Sequence, residues 1–231
     1  MEDVYRALPS ADLDQAETYL PETRTPISMK ISRATKAAAV ALKVRVYLHM
    51  RDYAKVVTEG NKLASQAAAP FSPAAGFGTY NLPSNPFAAS TSAGSKNNTE
   101  SIFSIENDVT DAAGNNGALP QMYNTSAVGT VGRALVAISP ILWNQSWWNA
   151  TDTRKTSTFV NINVEAPGAG GKGGFFTKKY SDVTGQSDNA PVLRYAELLL
   201  NMAEAIQRQN LGAPDPRAFA MYNAVRSRAN A

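Results

Sequence analysis

The chain has 231 residues, of which 22 are Lys or Arg and 19 are Asp or Glu, so its formal net charge is only +3. It contains no cysteine and one histidine, His49, which excludes disulfide frameworks, thiol nucleophiles, zinc ribbons and multi-histidine metal sites. The basic residues are scattered along the chain, which argues against a nucleic-acid-binding surface. No apolar run is long enough for a transmembrane helix, and the acidic Glu2-Asp3 start is unlike a signal peptide.

Composition divides the chain into two helical segments and a long insert. Residues 1–69 and 190–231 are rich in Ala, Leu, Arg and Glu, whereas residues 70–190 hold 13 of the 15 glycines. Hydrophobic residues make up 44% of the chain and charged residues 18%, which is typical of a globular protein. We therefore predict a single, mainly α-helical domain with a large irregular insert that contains a few short strands.

Apolar periodicity predicts three helices in the amino-terminal segment. The first spans residues 3–20 and ends at Pro21. The second spans residues 32–50 with Ser32 as its N-cap, and the third spans residues 52–67. Because the second and third helices are separated by a very short turn, they are predicted to form an antiparallel hairpin.

The same pattern returns near the end of the chain. Residues 192–209 are strongly periodic, and Gly212 follows them as a stop signal. Pro214 and Pro216 then open another helix. The chain is thus predicted to contain two tetratricopeptide-like hairpins that are far apart in sequence, which does not fit a plain tandem solenoid.

Three short strands are predicted within the insert, at residues 100–106, 158–164 and 174–180. Residues 140–148 are predicted to form one or two helical turns. Residues 168–173 fit the letters of a dinucleotide-binding G-x-G-x-x-G motif, but a strand-like segment follows them where that motif requires a helix. A flexible loop or hairpin tip is the favoured interpretation.

All three tryptophans lie within six positions, at Trp143, Trp147 and Trp148. The polar residues that flank them are Asn144, Gln145, Asn149 and Asp152. An exposed indole can stack on the apolar face of a sugar ring, while amides and carboxylates bind the sugar hydroxyls. The cluster is therefore a candidate glycan platform, with packing of the insert onto the helices as the alternative. Because adjacent residues point to different faces, only one of Trp147 and Trp148 is expected to be exposed.

Aromatic residues in the polar loops are secondary candidates, because binding residues concentrate on loops held by a rigid scaffold. These residues are Phe77, Tyr80, Phe87 and Tyr123. Folding back onto the domain is the alternative for each of them. The ligand-binding residues that we predict are Trp143, Trp147, Trp148, Asn149, Tyr80 and Tyr123.

The sequence offers few residues for catalysis. His49 has no nearby second ligand or nucleophile. Asp108 and Asp111 form the only close carboxylate pair of the loop region, but a spacing of three does not establish two carboxylates opposed across a substrate. A calcium-binding or turn role is equally open for that pair. We predict a protein that is not an enzyme and has no cofactor or metal ion.

Charged residues of the carboxy-terminal helices are predicted to form buried or half-buried ion pairs that set the register of the helices, in preference to a ligand-binding role. These residues are Arg194, Glu197, Glu204, Arg226 and Arg228.

Six motifs follow one another along nearly the whole chain. The first is DLDQA followed by LP in residues 12–21, and the second is SRATKAAA followed by RVYL and DYA in residues 32–54. The third is ESIFSI in residues 100–105, and the fourth is DTR in residues 152–154. The fifth is KY followed by PVLRYAELLLNMAEA in residues 179–205, and the sixth is YNAVRSR in residues 222–228. In this order they resemble the SusD/RagB family of outer-membrane nutrient-binding lipoproteins. Arg51 stands where that family often has glycine at a hairpin turn, which predicts a local adjustment of the backbone.

The resemblance implies a non-catalytic, mostly α-helical receptor on the outer membrane at the cell surface. Residues 1–69 and 190–231 would form a scaffold that packs against a SusC-like TonB-dependent transporter, and residues 70–190 would carry the ligand site. The ligands would be glycans such as starch oligosaccharides or polysaccharides, or in some members peptides. The chain would be a partial domain, with the lipid anchor and the C-terminal region of the family outside it. A protein-interaction scaffold of tetratricopeptide type is the remaining alternative.

Overall fold

The computed structural model describes residues 2–24, 29–87, 98–107, 119–123, 132–156, 162–168, 171–177, 179–180, 182 and 187–229. Backbone contacts divide the chain into two compact units. The first, here called the helical unit, comprises Met1–Pro83, Thr99–Ser104 and Pro191–Arg226. The second, here called the insert unit, comprises Ser84–Asn98, Ile105–Ala190 and Ser227–Ala231. Residues 70–83 and 99–104, which composition assigns to the insert, thus lie with the helices.

Helices dominate the described residues, which confirms the predicted mainly α-helical fold class. The helices are α1 (Glu2–Tyr19), α2 (Met29–Ser32), α3 (Lys36–His49), α4 (Tyr53–Gly60), α5 (Leu119–Tyr123), α6 (Pro140–Trp143), α7 (Thr153–Thr156), α8 (Tyr195–Gln209) and α9 (Pro216–Ser227). The strands are β1 (Ser101–Ile105), β2 (Ile162–Gly168), β3 (Gly171–Thr177) and β4 (Ala190–Arg194).

Helices α3 and α4 form the predicted hairpin, but α3 begins later than the sequence suggests. Its N-cap is Thr35, whose backbone is extended and whose side chain accepts a hydrogen bond from Ala38 N at 3.4 Å. Ser32 instead ends the separate short helix α2, so the prediction that it caps α3 is wrong. Asp52 caps α4 by accepting a hydrogen bond from Lys55 N at 3.2 Å.

Helix α4 ends at Gly60, seven residues before the predicted boundary. The next residues turn inward, because Leu63 and Ala64 are fully buried and both donate backbone hydrogen bonds to Gly60 O at 2.9 Å. Arg217 of α9 holds this turn through its guanidinium, which lies 2.6 Å from Ala64 O. Tertiary packing thus ends the helix where local propensity would let it continue.

The core of the helical unit lies between α3, α4 and α8. Val44 of α3, Val56 of α4 and Met202 of α8 are all fully buried in one hydrophobic cluster. Gly60 allows α4 to approach α8 closely, because a Cβ atom at this position would lie only 2.5 Å from the Sδ of Met202. Tyr195 at the start of α8 is also buried and donates a hydrogen bond to Leu63 O at 2.7 Å.

A network of charged side chains joins α1 to α3 and α4. Lys43 of α3 is 2% exposed, and its ammonium contacts Asp14 and lies 2.5 Å from Glu17 and 3.5 Å from Glu59. Lys62 lies 2.7 Å from Glu17 and 2.8 Å from Glu59. The buried charge of Lys43 is therefore compensated by carboxylates of two other helices.

Strands β1 and β4 pair with each other beside α8, and β1 confirms the predicted strand. Glu100, immediately before β1, is buried and lies 3.3 Å from the guanidinium of Arg194. On α3, Arg45 forms a second ion pair with Glu197, with 2.6 Å between Nε and Oε1. Glu204 pairs with Arg208 on the surface of α8. The predicted buried or half-buried ion pairs are thus confirmed for Arg194 and Glu197, whereas the prediction is wrong for Glu204, whose pair is exposed.

In the insert unit, β2 and β3 form an antiparallel hairpin in which Gly168 pairs with Gly171. The predicted hairpin tip is therefore confirmed. The strands do not have the predicted boundaries, since β3 includes glycines that intrinsic propensity assigns to loops. Pairing across the hairpin overrides that preference. Phe175 of β3 also forms a bridge with Ile138, which ties the segment before α6 to the hairpin.

Candidate aromatic ligand site

The short helix α6 and the turn after it present the three tryptophans. Pro140 occupies the first turn of α6, where its lack of a backbone N–H has no cost. Trp143 N donates a hydrogen bond to Ser139 O at 2.9 Å, and Trp148 N donates to Gln145 O at 3.1 Å. These backbone bonds hold the tryptophans in one compact turn.

The ring of Trp143 lies at the centre of an aromatic stack in the insert unit. It stacks on Phe175 of β3 with 4.0 Å between ring centroids and 15° between planes, and Trp148 meets it edge-on at 5.6 Å. Both geometries are favourable for aromatic pairs. The β hairpin therefore packs against the tryptophan turn through Phe175. Trp143 and Trp148 are each half-buried.

Lys155 of α7 fixes the same cluster. Its Nζ lies 2.8 Å from Trp143 O, 3.4 Å from Trp148 O, and 4.7 and 5.4 Å from the centroids of the two indole rings. A cation over the face of an indole is attracted by the ring quadrupole. We call Trp143, Trp148, Phe175 and Lys155 the tryptophan cluster.

Trp147 lies beside this cluster and is 69% exposed. The prediction that only one of the two adjacent tryptophans is exposed is confirmed, because Trp148 is half-buried. An indole that is fixed at its backbone and open at its face can stack on a flat apolar surface. Trp147 is the one exposed ring among the candidate aromatic residues.

Some of the polar residues that flank the tryptophans are exposed to solvent, and others are bound to protein groups. Asn144 and Asn149 are exposed, although Asn149 Oδ1 also accepts a hydrogen bond from Thr151 N at 3.0 Å. Asp152 is 1% exposed and binds the Arg154 guanidinium through both carboxylate oxygens. Burial raises the pKa of Asp152, but the hydrogen bonds from Arg154 outweigh this effect and hold the pKa below its ordinary value. Asp152 is therefore ionised, stabilises the turn through its ion pair with Arg154, and is not available to a ligand.

A second aromatic cluster lies elsewhere in the insert unit. Tyr180 contacts Tyr123 of α5 at 5.5 Å between centroids and Phe87 at 6.4 Å. The Nζ of Lys179 lies 4.1 Å from the centroid of Phe87 and 5.7 Å from that of Tyr180. All four side chains are half-buried. We call these four residues the tyrosine cluster.

Tyr80 and Phe77 belong instead to the helical unit. Tyr80 is 2% exposed and stacks on the buried Tyr195 at 6.1 Å, and Phe77 packs against the same core. A ring so completely covered offers no face to a sugar. The expectation of ligand contact is therefore corrected for Tyr80, which we leave out of the site. Asp108 and Asp111 lie outside the described residues, and His49 is exposed at the end of α3.

Sequence reasoning missed four members of the two clusters, namely Phe175, Lys155, Tyr180 and Lys179. Each approaches the predicted aromatic residues only through the fold. The alternation in β3 gives a partial signal, because Phe176 is 1% exposed whereas its neighbour Phe175 stacks on Trp143. Nothing in the sequence identifies the partner across that contact.

Within the described part of the chain, no group of three or more potential metal ligands comes together. None of the described helices combines the length and the apolar character that crossing a bilayer requires.

Several solved structures share this fold. A SusD superfamily protein from Bacteroides vulgatus is 25% identical, with a TM-score of 0.71, and the match covers 99% of this chain and 47% of that one. A laminarin-binding SusD-like protein is 21% identical, with a TM-score of 0.70, over 99% of this chain and 54% of that one. Surface glycan-binding protein A from Bacteroides thetaiotaomicron in complex with laminarihexaose is 19% identical, with a TM-score of 0.63, over 96% and 54%.

The chain spans about half the length of these solved relatives. No curated protein matches it. The model of the SusD family matches residues 50–231, which is well over half of the chain and includes both aromatic clusters. The resemblance found in the sequence motifs is therefore confirmed, and the chain belongs to the SusD family.

Proposed function

We propose that this chain binds glycans without catalysis, as part of a cell-surface receptor that delivers oligosaccharides or polysaccharides to a TonB-dependent outer-membrane transporter. The ligand contacts are made by the insert unit, and the helical unit serves as the scaffold. The family supports this proposal, and so do relatives whose names describe binding of laminarin and laminarihexaose. The transporter, the outer-membrane location and a lipid anchor are further parts of this proposal, and membership of the SusD family supports them.

The exposure of Trp147 is the main support for the proposed binding site. Trp147 is 69% exposed beside the tryptophan cluster, which is held by Phe175 and Lys155. An exposed large aromatic ring on a fixed backbone loses little conformational entropy when it binds a ligand. Asn144 and Asn149 lie on the same turn and can exchange hydrogen bonds with sugar hydroxyls. Stacking and hydrogen bonding together bind a sugar without breaking any bond.

The experiment is a binding screen of the full chain against plant, host and microbial polysaccharides, with laminarihexaose and a peptide mixture included. Binding is measured by the change in tryptophan fluorescence and by calorimetry. We expect a glycan to bind and Trp147→Ala to weaken its affinity by about tenfold or more, because an aromatic stacking partner contributes on the order of 1–2 kcal/mol.

Phe219→Ala is the matched control, because Phe219 is 59% exposed but lies on α9 of the helical unit. It should leave glycan affinity unchanged. If Trp147→Ala and the parent chain bind the glycan with equal affinity, Trp147 does not contact the glycan. Binding of peptides alone would change the proposed function to peptide uptake.

A protein-interaction scaffold is the second candidate. A groove of about 290 Å³ lies between α8 and α9, and exposed Phe219, Tyr222 and Leu200 line it. Tetratricopeptide-like hairpins can hold a peptide or helix in such a groove. Peptide binding that Phe219→Ala abolishes and Trp147→Ala does not affect would favour this candidate.

A further inference from the structure

We propose that α1 is a hinged helix, which acid releases from α3 and α4 while the rest of the helical unit stays folded. A cluster of five charged residues holds it in place, and we call this cluster the Lys43 network. Its members are Asp14, Glu17, Lys43, Glu59 and Lys62. This switch lies in the helical unit and is independent of the proposed glycan binding.

The described side chains of α1 contribute little apolar burial. Within residues 11–19 none is buried, and the half-buried ones are Leu13, Ala16 and Glu17, which share one face of the helix. The hydrophobic core formed by the described residues draws on α3, α4 and α8 and includes no residue of α1. Because apolar burial is the dominant favourable contribution to folding, this part of α1 needs another source of attachment.

Ion pairs supply that attachment. The Nζ of Lys43 on α3 contacts Asp14 and lies 2.5 Å from Glu17, and both carboxylates belong to α1. Lys62, just after α4, lies 2.7 Å from Glu17. Glu59 of α4 lies 2.8 Å from Lys62 and 3.5 Å from Lys43. The network therefore joins α1 to both helices of the hairpin.

Acid acts on the network through the buried ammonium of Lys43. This residue is 2% exposed, so carboxylates take the place of water around its charge. When Asp14, Glu17 and Glu59 take up protons, the ammonium keeps its desolvation cost and loses the charges that compensate it. Two of these three carboxylates belong to α1, so separation of α1 from α3 lets water reach Lys43.

The pKa values set the pH range of the release. Burial raises the pKa of Glu17, but hydrogen bonds from Lys43 and Lys62 outweigh burial and leave it below its ordinary value. Such a carboxylate stabilises the docked helix above its unfolded pKa of about 4.3 and loses this contribution as the pH falls further. Burial lowers the pKa of both lysines, but hydrogen bonds to carboxylates outweigh it and raise the pKa. Both lysines therefore stay charged while α1 is released.

The segment after α1 is held by bonds that acid does not break. Pro21 O accepts a hydrogen bond from Lys36 N at 3.0 Å, and the guanidinium of Arg24 donates to Ala34 O at 2.9 and 3.2 Å. These bonds involve no carboxylate, so protonation leaves them intact. Pro21 also disfavours a helical conformation of the residue before it. Residues 20–24 therefore form an anchor about which α1 can pivot.

Hydrogen exchange of the full chain, followed by mass spectrometry, measures the opening of α1 separately from that of the other helices. At pH 7 we expect Glu17→Gln to speed exchange in residues 11–19 by about tenfold or more, because hydrogen bonds between charged groups are lost. Exchange in α3 and α8 should stay the same. Glu204→Gln is the matched control and should not affect α1, because its pair with Arg208 is exposed.

Lys43→Met tests the role of the buried ammonium. Methionine is apolar and flexible, and replacing a buried ion pair by apolar groups is often neutral or stabilising. We expect exchange in α1 of the parent chain to increase as the pH falls from 6 to 3, after correction for the intrinsic exchange rate. In Lys43→Met this increase should be largely absent, because no buried charge then requires water.

Spin labels give a second measurement that leaves the Lys43 network intact. The chain contains no cysteine, so introduced cysteines are labelled specifically. Ala11→Cys on α1 and Ala54→Cys on α4 are exposed positions, and Leu200→Cys on α8 with Ala54→Cys is the control pair. Between pH 7 and pH 3 we expect the distance across the first pair to lengthen and that across the control pair to stay constant.

Each outcome bears on the hinge. If Glu17→Gln speeds exchange equally in α1 and α3, or if acid lengthens both label distances together, the helices open as one unit and the proposal is wrong. Unchanged exchange of α1 in Glu17→Gln also overturns it. An acid response of Lys43→Met as large as that of the parent chain overturns the role of the ammonium. None of these results affects glycan binding, which the polysaccharide screen tests.

Discussion

At the scale of single residues, Arg51 has a backbone conformation that its side chain disfavours. Its φ of 58° lies in the left-handed region, and it closes the turn between α3 and α4 by donating a backbone hydrogen bond to Leu48 O. Arg51 thus has the backbone conformation that glycine adopts freely at such a turn. The left-handed conformation costs a non-glycine residue roughly 1–2 kcal/mol, and glycine has no such cost.

We therefore predict that Arg51→Gly raises the free energy of unfolding by about 0.5–1 kcal/mol, since the greater entropy of glycine in the unfolded chain offsets part of the gain. Urea denaturation monitored by circular dichroism measures the change. Arg51→Ala is the control, because it removes the side chain and keeps the backbone strain. A gain for alanine as large as that for glycine would show that the side chain, and not φ, is responsible.

The exposure of the candidate site residues can be predicted from the sequence only in part. The spacing of Trp147 and Trp148 was enough to predict that one ring is exposed and the other is not. It was not enough for Tyr80, because a tyrosine in a Gly- and Pro-rich loop looks accessible until the loop is placed on the core. The contact of Tyr80 with Tyr195 joins residues that are distant in sequence, and periodicity carries no information about such contacts.

At the scale of elements, the approach of α4 to α8 depends on the absence of a side chain at Gly60. A Cβ atom there would lie 2.5 Å from Sδ and 2.7 Å from Cγ of Met202, which is fully buried and has little room to move. We predict that Gly60→Ala lowers the free energy of unfolding by about 1–3 kcal/mol through overpacking, although alanine favours helix formation.

A double-mutant cycle with Met202→Ala tests this prediction by denaturant unfolding. Met202→Ala alone should cost about 2–5 kcal/mol because it leaves a cavity. Gly60→Ala should cost less in that background, since the new methyl group enters the cavity. Equal costs of Gly60→Ala in the two backgrounds would contradict the proposed contact.

Elements were predicted well where local signals and packing agree. The hairpin of α3 and α4 follows from its periodicity and from the short turn between the two helices. The boundaries failed where tertiary contacts decide them, as at the end of α4, where Arg217 binds carbonyls of a distant turn. Strand β3 shows the same limitation, since its glycines are strand residues only because β2 pairs with them.

At the scale of the whole molecule, the charges that join α1 to α3 and α4 make stability depend on pH. Glu17 is the central carboxylate, because it binds both Lys43 and Lys62. Burial raises the pKa of Glu17, but hydrogen bonds from the two lysines outweigh burial, so the pKa lies below its ordinary value. A carboxylate with a lowered pKa stabilises the fold above its unfolded pKa of about 4.3.

We therefore predict that the free energy of unfolding falls as the pH is lowered from 6 to 3, because the folded state must then take up a proton on Glu17 against its interactions with lysine. Glu17→Gln should cost about 1–3 kcal/mol at pH 7 and flatten this pH dependence, as measured by denaturant unfolding at several pH values. Glu204→Gln is the control, because Glu204 and Arg208 are about half exposed and such pairs contribute little. An unchanged pH slope in Glu17→Gln would mean that other carboxylates control acid unfolding, and that α1 is held mainly by apolar packing.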